Sequence, residues 1–360
     1  MMIITRTPFR ISFFGGGTDY PSWFLNNGGE VLATTIDKYC YLTCRYLPPF
    51  FEHRFRVVYS KIEDCQNVDE ILHPSVREVL RFLEIDRGVE IHHDGDLPAR
   101  SGIGSSSAFT VGLLHALYAL KGQLVDKGRL AREGIHVEQN VLKETVGSQD
   151  QVLAAYGGLN HIKFQTNGEI SVNPQTLPQS RIQELNQHLM LFYSGIKRTA
   201  AQVAESYVNG MESNAGQMLQ IRQFVSESIS ILNSDTDITA FGKLLHQAWK
   251  IKRGLSSTVS NSYVDDIYEQ ALRAGALGGK LLGAGGGGFI LLFVPPSLQM
   301  RLRERMNHLL YVPFKFEFHG SQVIFYEPRE DYSVLDRDRD HRNITPFREL
   351  TVDANMKGDS

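Results

Sequence analysis

Residues Leu97 to Phe109 read LPARSGIGSSSAF, two glycines and four serines between the strand-like GVEIHHDGDL and the helix-like AFTVGLLHALYALKG. Glycine at such a turn permits positive φ and brings backbone close to a ligand. The helix behind it offers unpaired N–H groups and the positive end of its dipole, a ready anion site. A serine hydroxyl there is also a hard oxygen that suits Mg²⁺. The competing reading is an ordinary loop in which Ser105 or Ser106 caps the helix. The loop alone does not separate the two.

Its surroundings narrow the choice. The chain has 360 residues, 42% of them hydrophobic, enough for two domains with sizeable cores. A formal net charge of -3 leaves no basic footprint for nucleic acid, and no Lys/Arg block suits an anionic membrane. The apolar run FILLFV (289–294) stops at Pro295-Pro296, far short of a bilayer span, and Arg6 and Arg10 interrupt the opening where a secretory signal would be apolar. A cytoplasmic protein is expected. Of three cysteines, Cys40 and Cys44 lie on one face of a strand pattern about 13 Å apart, too far to share a metal ion.

Strand patterns (IITRTPFRISFF, EVLATTIDKYCYLTCRY, FRVVYS) dominate the opening. Helical spacing follows around Pro74 to Phe82, from Ser106, and across Asp126 to Thr145, with a short helix after Asp150. GGLNHIKF and EISVNP close this part, and prolines at 174 and 178 mark a boundary. Beyond it come a strand (HLMLFYSG), two or three helices over 200–274, the loop-strand LGGKLLGAGGGGFILLFVP, and final strands in YVPFKFEF and SQVIFYEP. The expectation is an α+β protein of two lobes, 1–180 and 181–328, with a solvated charged tail at 329–360.

Two glycine-rich stretches besides the first need an explanation. GAGGGG (283–288) satisfies G-x-G-x-x-G, yet a strand follows it and it comes late, which is the wrong context for a dinucleotide fold. No Walker A loop or protein-kinase signature is present. PFRISFFGGGTDY sets Arg10 and Asp19 around Gly15 to Gly17, while VEQNVLKETVGSQDQ carries Glu138 and Asp150. Singly, Glu138 reads as a helix surface charge and Asp150 as an N-cap.

Together, in this order, PFRISFFGGGTDY, LPARSGIGSSSAF and KLLGAGGGGF resemble the motifs of the GHMP small-molecule kinases over about residues 5 to 325. RISFFGGGTDYP and GGKLLGAGGGGF are most similar to those of bacterial D-glycero-D-manno-heptose 7-phosphate kinases. The resemblance implies an N-terminal lobe like domain 2 of ribosomal protein S5, a ferredoxin-like C-terminal lobe, and an active site between them. It implies that Gly102, Ile103, Gly104, Ser105, Ser106 and Ser107 wrap the phosphates of ATP, with Ser106 and Glu138 holding Mg²⁺. Asp150 would be the catalytic aspartate, Arg10 would neutralise charge near the γ-phosphate, and Asp19 with Gly16 and Gly17 would meet the sugar. Gly285 and Gly286 would bring backbone against substrate.

Galactokinases carry Gly-Glu followed by His or Asn where Gly16 and Gly17 stand here, which argues against galactose. The expected reaction is ATP-dependent phosphorylation of the anomeric hydroxyl of a heptose 7-phosphate. A phosphorylated sugar needs a basic receptor, and Arg198 and Lys252 are candidates, with solvated helix charges as the plain alternative. A kinase for an unphosphorylated sugar is the nearest rival. A nonenzymatic ATP-dependent sensor is the rival of another class, and retention of Asp150 and Glu138 speaks against it. A homodimer is an assembly that the sequence leaves open.

Overall fold

Alternating β-branched and aromatic residues make β1 (Met2–Phe14), which helix α1 (Pro21–Asn27) links to the long β2 (Gly29–Tyr46). This computed structural model describes residues 1–196, 200–328 and 332–335. β1 and β2 pair antiparallel from Met2↔Arg45 to Phe14↔Leu32. Register shifts at Pro8/Phe9 and Ser12/Phe14 bracket Arg10 and Ser12, irregularities of the kind that re-aim side chains. The hairpin β3 (Phe55–Val58) and β4 (Ile62–Cys65), then α2 (Pro74–Phe82) and β5 (Val89–Gly95), lead to the glycine-serine loop.

From that loop runs α3 (Ser105–Leu120), apolar on nearly all sides and buried, lying across β1 and β2. Gly112 permits this closeness, because a Cβ there would meet Thr7 Oγ1 at 2.7 Å. α4 (Lys127–His136) passes into one π turn, Val137–Val141, followed by α5 (Gln149–Tyr156) and the hairpin β6 (Asn160–Phe164) and β7 (Ile170–Pro174).

The second part comprises α6 (Gln179–Gln187), β8 (Leu189–Tyr193), α7 (Ala200–Asn209), α8 (Ala215–Leu232), α9 (Thr239–Gly254), α10 (Ser262–Ala274), β9 (Gly278–Leu281), β10 (Phe289–Phe293), α11 (Gln299–Arg305) and β11 (Leu310–Val312). Its antiparallel sheet has the order β11-β8-β10-β9. Four helices occupy 200–274, more than the two or three expected.

The last two strands correct the expected boundaries. β12 (Phe316–Glu317) pairs with β2, and β13 (Gln322–Glu327) pairs with β1, so both belong to the first sheet. That sheet reads β13-β1-β2-β5-β3-β4, with β6 and β12 on β2 as well. Periodicity identifies a strand but not its partner, and pairing with β1 covers an edge that would otherwise be open. The 181–328 unit is therefore an insertion whose closing segment returns to the first lobe. Of the tail expected at 329–360, only 332–335 is described; Tyr332 there meets Phe50 edge-on at 5.6 Å between centroids.

The lobes share apolar core. Phe13 and Phe14 at the end of β1 meet Phe241 of α9 edge-on at 5.5 and 5.1 Å, and Phe241 reaches Phe293 of β10. Each buried ring contributes about 1.5–3 kcal/mol through area removed from water. Among the described residues no helix is long and apolar enough to cross a membrane.

Candidate active site

Helix α3 opens on Gly104 at φ 75°, with no side-chain cap hydrogen bond. The first-turn amides are therefore not spent on a serine hydroxyl, and the plain capping reading of this loop fails. Ser105 Oγ instead accepts the Arg100 amide at 3.0 Å. Gly102 (φ 85°) needs its glycine twice over, since a Cβ would also lie 2.5 Å from Leu282 O. Gly288 presses on the same loop from the other lobe, where a Cβ would meet Ser101 O at 2.2 Å. The Phe289 amide donates to that same carbonyl at 3.0 Å. The second and third glycine motifs thus clasp one another through bare backbone.

Arg10, just before the second β1 irregularity, crosses to this loop. Its Nη1 donates to Gly102 O at 2.5 Å, and Nε and Nη2 donate to Asp150 Oδ1 and Oδ2 at 2.7 and 2.6 Å. Asp150 lies in the first turn of α5, whose N-cap is Ser148, so its carboxylate serves Arg10 and not the helix end. Asp19 is buried, and its oxygens accept the Gly17 and Gln149 amides at 2.8 and 3.2 Å. Burial raises its carboxyl above the ordinary range against the pull of those amides, and Asp150 adds to the rise.

Lys280 on β9 was not singled out by the sequence. It is buried, and its Nζ donates to Phe13 O at 2.9 Å. Burial, with Lys252 and Arg10 close by, drives its ammonium well below the ordinary lysine value. Lys252 on α9 is itself mostly buried and donates to Gly283 O at 2.7 Å.

Glu138 sits in the π turn, wholly buried, where a surface charge was the plain expectation. Its Oε2 accepts from Ser107 Oγ at 2.8 Å and from Gln151 Nε2, while Oε1 has no hydrogen-bond partner among the described residues. Burial pushes the carboxyl up to about 7, the Ser107 hydroxyl opposing the rise. The structure brings Ser107, not the expected Ser106, to Glu138. One residue is about 100° around a helix, and that turn leaves Ser106 exposed on the cavity wall. An orphaned buried carboxylate oxygen beside a hydroxyl is a donor set that fits Mg²⁺.

Most of these side chains line one cavity of about 500 Å³. Arg10, Gly16, Gly17, Asp19, Gly102, Gly104, Ser105, Ser106, Ser107, Glu138, Asp150 and Lys252 meet there, while Ile103 is buried behind the loop. From the third motif, Gly283 and Ala284 line the cavity, not Gly285 and Gly286. Gly285 packs on Val259 (a Cβ would lie 2.5 Å from its carbonyl), and the Gly286 amide donates to that carbonyl at 2.9 Å. Arg198 lies outside the described residues. Arg100 (φ 60°) and Lys143 (φ 56°) also line the wall, cations held in backbone that side chains rarely adopt. No sequence signal marks such a conformation.

A cation–carboxylate pair and open helix amides around one cavity suit transfer of a phosphoryl group, where positioning and charge stabilisation supply most of the catalysis. Residues 72–158 match the GHMP kinases N terminal domain, and residues 229–311 match GHMP kinases C terminal. The chain thus carries both domains of the GHMP kinases, enzymes that transfer a phosphoryl group from ATP to a hydroxyl. It is 29% identical over 316 residues to the D-glycero-alpha-D-manno-heptose 7-phosphate kinase of Campylobacter jejuni, covering 85% of this chain and 93% of that one. It is 26% identical over 334 residues to the bifunctional fucokinase/GDP-fucose pyrophosphorylase of Arabidopsis thaliana, covering 83% of this chain and 30% of that protein. A solved D-glycero-D-manno-heptose 1-phosphate kinase from Bacteriodes thetaiotaomicron shares the fold with a TM-score of 0.75 at 22% identity, over 91% of this chain and 100% of that one.

Proposed function

We propose that the protein phosphorylates a sugar hydroxyl with ATP, specifically the anomeric hydroxyl of D-glycero-D-manno-heptose 7-phosphate, giving the 1,7-bisphosphate. The observation that carries the reading is the Arg10–Asp150 pair beside the uncapped start of α3. The triphosphate lies along the glycine-serine loop, its charge met by the first amides of α3 and by Arg10. Asp150 orients the acceptor hydroxyl and takes its proton as the oxygen bonds to the γ-phosphorus. The bond from that phosphorus to the β-bridging oxygen breaks, and ADP leaves with the electron pair. Ser107 and Glu138 would hold Mg²⁺, which when bound neutralises phosphate charge.

The heptose assignment is supported by the named relatives and by cations on the acceptor side. Lys252, which lines the cavity, is proposed to receive the sugar phosphate, with Arg198 as its companion. Incubation with ATP, Mg²⁺ and a panel of acceptors, with the new phosphate located by NMR, tests this reading. Phosphate at the anomeric carbon of the heptose 7-phosphate is expected. Turnover of free hexoses alone would overturn it and favour a fucose-like acceptor.

A further inference from the structure

The first glycine motif contains a residue whose glycine has no backbone reason. Gly15 (φ 80°) and Gly17 (φ 111°) occupy left-handed conformations, but Gly16 between them does not. A Cβ at Gly16 would find only Ser12 Oγ at 3.1 Å and Gln149 Nε2 at 3.6 Å within contact range. What the missing Cβ leaves is a notch in the cavity wall between these two side chains.

Both lie almost wholly inside the protein, Ser12 at 5% and Gln149 at 8% exposure, and both line the cavity. Ser12 Oγ and Gln149 Oε1 are buried without a hydrogen-bond partner among the described residues. Buried polar atoms are nearly always paired, so two orphans on one wall mark the place where a ligand completes them. Gln149 Oε1 can only accept; a serine hydroxyl both donates and accepts. Next to them the Asp19 oxygens already take two amides, and Lys280 Nζ supplies donors. The wall is complementary to neighbouring hydroxyls on a ring.

We infer that Ser12 and Gln149 are specificity-determining residues that read adjacent hydroxyls of the acceptor, with Gly16 as the opening that admits them. This rests on the proposed sugar phosphorylation and assigns its acceptor subsite. A site built to hydrogen-bond a hydroxyl discriminates strongly against an analogue without one, because its own polar groups are then left unpaired.

The test compares wild type with Ser12→Ala, Gln149→Met and Gly16→Ala, measuring KM for acceptor, KM for ATP, kcat and Tm. Ser12→Ala and Gln149→Met should each raise the acceptor KM at least about tenfold, with kcat and the ATP KM within about threefold. Gly16→Ala should do the same at wild-type Tm, since its backbone accommodates a side chain. Within a series of monodeoxy acceptors, one should bind wild type and Gln149→Met equally poorly. Acceptor KM values unchanged in all three variants would sink the inference while leaving sugar phosphorylation intact. A wild type that phosphorylates no sugar would remove both together. If either polar variant fails to fold, Gly16→Ala decides.

Discussion

Arg10 grips Asp150 through two parallel hydrogen bonds, 2.7 and 2.6 Å long, and spends its remaining terminal nitrogen on the carbonyl of Gly102. One guanidinium therefore fixes both the Asp150 carboxylate and the glycine-serine loop. The fork geometry is what arginine offers and lysine does not.

Asp150→Asn should retain nucleotide binding and lose at least about a hundredfold in kcat, the usual scale of a positioned base. Arg10→Lys should also lose turnover, although charge is conserved, because a point cation cannot hold carboxylate and carbonyl together. Steady-state kinetics beside calorimetric titration with a nonhydrolysable ATP analogue separate the two effects. Wild-type turnover in Asp150→Asn would remove that residue from the reaction.

The proposed metal ligands can be ranked. Ser107→Ala should raise the Mg²⁺ concentration needed for half-maximal rate more than Ser106→Ala, since only Ser107 contacts Glu138. Glu138→Gln should raise it most. A larger effect at Ser106 would show that the helix turns its other serine toward the ion.

The same carboxylate implies a pH dependence. Burial holds the Glu138 proton up to about pH 7, whereas the ordinary value is 4.5. Between those values the folded, metal-free protein binds more protons than the unfolded chain, so this group's contribution to stability falls as pH rises and then levels off. Glu138→Gln should abolish the slope, gaining on wild type by roughly 3 kcal/mol in all across the window. Urea unfolding at several pH values, without Mg²⁺, measures the difference. Parallel profiles for the two proteins would contradict it. Because Mg²⁺ needs the ionised form, its apparent affinity should tighten as pH rises toward 7.

Lys280 predicts a trade of function against stability. A lysine buried beside Arg10 and Lys252 is unfavourable to the fold without a ligand. Lys280→Met should raise Tm in the absence of substrate while raising acceptor KM, as happens where a site is strained for its task. A lowered Tm would mean that its bond to Phe13 O outweighs the cost of burial.

Gly288→Ala should destabilise by at least about 2 kcal/mol, because φ is 103° and the new methyl would meet Ser101 O at 2.2 Å. Thermal unfolding with and without ATP analogue reads the loss. Since Ser101 precedes the glycines proposed to hold the nucleotide, nucleotide affinity should fall as well.

What could be read before the structure was local. Gly102 to Ser107, Arg10, Asp19 and Asp150 lie in short motifs whose order resembles that of the GHMP kinases, and all of them but Ile103 line one cavity. The sequence was less informative where geometry decides. Ser106 and Ser107 differ only in helix phase. Lys280 opens a glycine-rich stretch that reads as a loop feeding a strand, and its burial follows from the partner strand and the neighbouring lobe. Ser12 and Gln149 are unremarkable letters until their unpaired atoms are seen on the same wall. The return of β12 and β13 to the first sheet depends on pairing across some three hundred residues, which no local period encodes.

That return has a consequence for how the molecule comes into being. Met2 lies opposite Glu327, so during synthesis β1 is completed only when almost the last of the described chain has been made. Until then the outer flank of β1 has no neighbour, and the inserted lobe is synthesised before the layer that carries Arg10 is finished.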